Sequence, residues 1–143
     1  MAIRLGMEAK LYYDPSGVGG SSWTELTNVK DVTLNLEAGE ADVTTRGNAG
    51  WRATVATLRD GSIEFEMVWD TADPGFAAIK DAYFNNTAIA LAILDGANGE
   101  GLDADFSITN FSRNEPLEEA LTVSVTAKPT YSTRAPAWKE AGV

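Results

Sequence analysis

"GEADVTTRGNAGWRATVATLRDG", residues 39–61, decides how this chain is read. Val43, Trp51, Val55 and Leu58 lie scattered among threonines and glycines, too patterned for a slack loop and too thin for a core strand. The flanks are cleaner. In "NVKDVTLNLE" (28–37), Val32, Leu34 and Leu36 share one face while Asp31, Thr33, Asn35 and Glu37 share the other. In "SIEFEMVW" (62–69), Ile63, Phe65, Met67 and Trp69 alternate with Glu64, Glu66 and Val68. Between these strands, "ADVTTR" and "WRATVATL" are β-prone, and "GNAG" (47–50) supplies residues that tolerate positive φ. Residues 39–61 therefore read as a long hairpin projecting from the body.

The same period recurs along the chain. "MEAKLYYD" (7–14) sets Ala9, Leu11 and Tyr13 against Glu8, Lys10 and Tyr12, then stops at the turn-rich "DPSGVGGSS". "LDADFSITNF" (102–111) puts Ala104, Phe106 and Ile108 inward, and "EALTVSVTAKP" (119–129) alternates apolar residues with a hydroxyl-rich outer side. "AIALAILD" (88–95), apolar throughout and ended by turn residues, fits a strand buried on both faces. The one helix signal is "DTADPGFAAIKDAYFNN" (70–86). Asp73 is its N-cap, Pro74 its first residue and Asn85–Asn86 its stop, with Phe76, Ile79, Ala82 and Tyr83 on one face. The tail (130–143) has no period but keeps Tyr131 and Trp138, which suit an arm docking on a neighbouring chain.

Composition narrows function. With 143 residues, 44% hydrophobic and 22% charged, the chain is expected to form one mainly-β domain over 1–129 plus a C-terminal arm, 130–143. No apolar run approaches the roughly 20 residues that span a bilayer, and no secretory signal is readable, so no membrane partner is expected. Histidine and cysteine are both absent, which removes Ser–His triads, thiol nucleophiles and the commonest metal ligands. An enzyme is disfavoured; no catalytic, cofactor or metal site is expected. Glu64 and Glu66 read as a charge row, since nothing beside them supplies a sugar platform. The acidic loop "DGANGEGLDAD" (95–105) misses the calcium-loop spacing, and the acceptor matches at Asn85 and Asn110 are those a permissive pattern throws up by chance. A formal charge of −10 argues against binding to a phosphate backbone.

The order of these elements, with Asp42, Val43, Thr44, Thr45, Arg46 and Gly47 followed by Gly50, Trp51 and Arg52, resembles the tail tube (major tail) proteins of long-tailed bacteriophages over residues 7–129. The resemblance implies a small β-sandwich or barrel with one flanking helix, its inner sheets joining between subunits into a tube. It implies hexameric rings stacked into a hollow conduit, built in the host bacterial cytoplasm and carried in the virion tail. Its partners would be further copies of the chain, tape-measure and tail terminator or initiator proteins, and DNA in transient, non-specific passage. The hairpin, with Val43 and Trp51 as anchors and Arg46 and Arg52 meeting acidic groups, would reach the next ring. Asp31, Glu37, Glu64 and Glu66 would face the lumen. Two other readings stay open: the tube of a contractile or secretion machine, and a monomeric β-sandwich binding module.

Overall fold

Period-two alternation places nearly every apolar run of this chain in one antiparallel sheet. The computed structural model describes residues 3, 5–20, 22–97, 99–131 and 134–140. The strands are β1 (Lys10–Tyr13), β2 (Thr24–Glu25), β3 (Val29–Asp42), β4 (Thr54–Val68), β5 (Ile89–Leu94), β6 (Gly101–Asn114), β7 (Thr122–Pro129) and β8 (Ala137–Lys139), with helix α1 (Pro74–Phe84) between β4 and β5. Their order is β2-β1-β5-β6-β7-β4-β3, and β8 joins β6 in line with β7. The mainly-β fold, the flanking helix and the long hairpin are as the residues predict. The barrel expectation is corrected: the sheet is open. It curls until the β1–β2 end faces β3 across a groove of about 360 Å³, lined by Leu11, Leu26 and Ile93 on one side and Val32 and Leu34 on the other. Among the described residues no ladder closes it.

One core fills the inside of the curl. Ile63, Phe65 and Met67 of β4 meet Val123 and Val125 of β7, Ala104 and Phe106 of β6 and Leu91 of β5. The helix seals one end. Asp73 accepts from the Phe76 amide at 3.2 Å, Pro74 opens the first turn and Asn85 closes the last. Phe76 and Ile79 are buried, and Phe76 meets Trp69 edge-on with ring centroids 4.8 Å apart. Tyr83 is half-exposed and stacks on Phe111. Leu26 packs so close to Gly75 that a Cβ there would stand 2.3 Å from its Cδ2.

The opposite face is covered at one end only. Tyr12, which alternation turns outward, is buried with Ala92 and Leu94 beneath Trp23. Asp105, another outward position, is fully buried: its carboxylate accepts from the Gly19 amide and the Arg134 Nε, both at 3.1 Å. Arg134 also pairs with Asp103 at 2.6 Å. Burial alone would lower the guanidinium pKa, but Asp103 and Asp105 outweigh it and hold it above its ordinary value. The 14–20 loop and the tail thus wrap β1, β5 and the start of β6, leaving the outer face of β7, β4 and β3 bare.

Two outcomes check this division of labour. Phe76→Ala is expected to destabilise the subunit by about 3–5 kcal/mol in urea unfolding, because a fully packed ring leaves a cavity. Replacing residues 43–53 with a two-residue Asn-Gly turn is expected to leave the urea midpoint unchanged, because none of those residues is buried.

Candidate functional site

The long hairpin is β3 and β4 themselves, prolonged beyond the sheet. They pair from Val29↔Met67 to Asp42↔Thr54, whereas β4 meets β7 only over Ile63–Val68. Past Ile63, among the described residues, the ribbon has two strands and no third. Two register shifts bend it, between Val29 and Val32 and between Ala38 and Glu40. The expected strands "ADVTTR" and "WRATVATL" are cut back: β3 ends at Asp42, β4 begins at Thr54, and 43–53 form a structured loop.

That loop holds itself. Asp42 accepts from the Thr44 amide at 2.9 Å, the Thr44 hydroxyl accepts from the Ala53 amide at 2.8 Å, and Thr45 and Asn48 close a reciprocal cap around a short 3₁₀ turn. The bonds from Thr44 keep the Asp42 carboxyl below the usual carboxylate range. Ala49 and Gly50 take positive φ and turn the chain back. Backbone order therefore comes from polar bonds, while the apolar side chains find no cover. Trp51 is 78% exposed and Leu58 87%, with Val43, Val55 and Leu36 about half exposed. Arg46 and Arg52 stand exposed on a loop that has no carboxylate between 43 and 53.

All four predicted acidic residues lie on the bare face. Glu64 sits between Thr33 and Thr126, Glu66 is paired with Ser124, and Asp31 lies with them around one shallow depression. Glu37 is directly opposite Asp60, a like-charge pair that alternation in β3 alone does not reveal. Sequence reasoning missed Asp60, and also Asn110, Ser112 and Asn114, which extend the polar rows onto β6 through Thr126, Ser124 and Thr122. The hydroxyl-rich side of β7 was the available signal. Lys128 is the base on this face, beside Ser62 and Glu37.

Two sheet edges flank the bare face. β3 is an edge along its whole length, and β6 beyond Phe106 carries β7 on one side and, among the described residues, no strand on the other. In the tail, Tyr131 is exposed, residues 132, 133 and 141–143 fall outside the described residues, and Trp138 lies on β8. Trp138 pairs with Leu102 of its own chain and donates its indole N–H to Glu100 at 2.6 Å, leaving half its surface open.

These features can be set beside known proteins. No curated protein matches the chain in sequence. Among solved structures it resembles a chain from the tail of an empty gene transfer agent particle refined with C6 symmetry, with a TM-score of 0.75 and 17% identity, covering 91% of this chain and 96% of that one. A chain of the native gene transfer agent virion gives 0.75 at 14% identity, covering 99% and 100%. The SPP1 tail tube gives 0.76 at 15%, covering 99% and 81%. At such identities the likeness speaks for the fold. The family described as phage tail tube protein matches residues 10–130, more than half of the sequence, and the chain belongs to that family.

Proposed function

We propose that this chain is the repeating subunit of a tail tube, closing into hexameric rings that stack into a conduit for DNA. The carrying observation is the four-strand unit β6-β7-β4-β3, which has a bare polar face and an open edge on each side. An open edge is a template for another strand, and pairing β3 of one copy with β6 of the next satisfies both. Repeated six times, as the C6 symmetry of the similar gene transfer agent tail suggests, the four-strand units close a barrel. At about 4.8 Å per strand the backbone circumference is roughly 115 Å, or about 37 Å across, and strand tilt widens it.

The face turned inward is then the bare one, because the opposite face is the core. Asp31, Glu64 and Glu66 alone outnumber Lys128 there, with Glu37 and Asp60 at the edge where the ribbon leaves the wall, so phosphates passing through meet like charge and no basic groove to hold them. The hairpin leaves this wall and reaches the next ring. In the cell, assembly takes place in the host cytoplasm around a tape-measure protein, with initiator and terminator proteins setting the two ends of a tube whose rings the chain can form by itself.

Negative-stain microscopy of the purified chain over a concentration series, with light scattering on the same samples, is expected to show six-fold rings or hollow tubes. Persistent monomers at high concentration would favour a binding module. In particles, Glu64→Lys with Glu66→Lys is expected to leave tube assembly intact and lower DNA delivery; unchanged delivery would remove these residues from the channel wall.

A further inference from the structure

The tip of the β3–β4 ribbon has an exposed indole between two arginines, and its base has a groove that would take them. This groove, about 390 Å³, lies where the ribbon leaves the sheet. Its floor is Gly61, Leu102 and Pro129; Leu36 and Trp138 form facing apolar walls, each about half exposed. Gly61 keeps the floor open: a Cβ there would lie 3.0 Å from Leu36 Cδ2 and 3.6 Å from Pro129 Cγ. Glu37 and Asp60 stand on the rim, with Arg59 as the one rim cation. Among the described residues neither of those two carboxylates is in an ion pair, so they stand ready for a cation from outside.

The same chain's tip cannot reach this groove. From Leu36 to Asp42 the paired strand carries the tip about 20 Å away, at roughly 3.3 Å per residue, and the ladder holds it there. We infer that the groove at the base of one copy's ribbon receives Trp51 from the tip of a second copy, with Arg46 and Arg52 meeting Glu37 and Asp60. The contact presupposes the tube subunit proposed above and names the surface that the hairpin docks on. Charge complementarity supports it: the 43–53 loop has two arginines and no acid, against a rim whose carboxylates outnumber its cation. So does pre-organisation. The tip is already fixed by its own hydrogen bonds, so little backbone entropy is lost on docking. Tryptophan and arginine around an apolar pocket are also the side chains that dominate interfaces. Because tip and base are different surfaces, the contact is heterologous: every stack ends in a ring of free tips on one side and a ring of free grooves on the other, so the stack is polar and open-ended.

The chain has no native cysteine, so engineered pairs report cleanly. Ala49 at the tip and Ala137 beside the groove are both exposed. Tubes of the Ala49→Cys/Ala137→Cys chain, treated with a short bismaleimide, are expected to give a ladder of dimers, trimers and higher species on a denaturing gel. Each single variant is expected to stop at dimers or below. An Ala49→Cys/Ser112→Cys chain, with its second cysteine on the polar face, is expected to give no ladder. Tubes that form normally but ladder only through Ser112→Cys, or through neither pair, would overturn the docking site and leave the tube reading intact. A chain that forms no rings or tubes at any concentration would overturn both. As a second measurement, Gly61→Val fills the groove; it is expected to keep single rings and abolish their stacking, and normal tubes from that variant would overturn the inference.

Discussion

The ladder between β3 and β4 is the constraint on which the rest depends. It runs from Val29↔Met67 to Asp42↔Thr54, yet the third strand supports β4 only over Ile63–Val68. Where β7 is present, the ribbon's inner side enters the core and its outer side becomes the polar wall. Where β7 ends, no strand among the described residues takes its place beside β4, and Leu36, Val55 and Leu58 are half exposed or more. A two-stranded ribbon is marginal alone. This one is held by continuity with the sheet at one end and by the Thr44–Thr45–Asn48 network at the other. Its apolar side chains are therefore exposed in the isolated subunit, which is what the docking proposed above requires of them.

The two faces of the sheet are treated differently along its width, and that asymmetry separates stability from function. At the β1–β5 end both faces are covered, the outer one by the 14–20 loop and the Arg134-bound tail. At the β3–β4–β7 end only the inner face is covered. Carboxylates brought together there, such as Glu37 opposite Asp60, repel one another and lower the stability of the subunit. In the tube proposed above, this pair and the open strand edge beside it belong to the wall that neighbouring copies complete.

Much of this was legible in residues. Alternation located the paired body of every long strand, and Asp73, Pro74 and Asn85 bounded the helix as observed. What escaped has physical causes. Alternation tells which side chains share a face but not what lies over that face, so Tyr12 and Asp105 read as wet while a loop and the tail bury them. It also sets Val32, Leu34 and Leu36 on one face, yet Val32 lies exposed at the sheet's edge and Leu36 is half exposed, because β7 ends before it reaches that part of β4. Sheet closure is likewise a matter of strand order and curl, which local pattern does not encode. At the site, the acidic row was visible because it keeps a two-residue period, whereas Asp60 and the β6 amides join it only through register.

Arg134 shows how a non-periodic tail can still be structural. Its guanidinium ties the chain after β7 to Asp103 and Asp105, and this sets β8 down on β6 in line with β7. That placement puts Trp138 opposite Leu36 and so creates the second wall of the groove at the ribbon's base. The tail, the start of β6 and the ribbon are far apart in sequence, and an ion pair buried at one of them shapes the apolar surface offered by the other two. The groove proposed above as a docking surface is thus shaped by contacts that also hold the subunit together, so a change in the tail alters that groove directly.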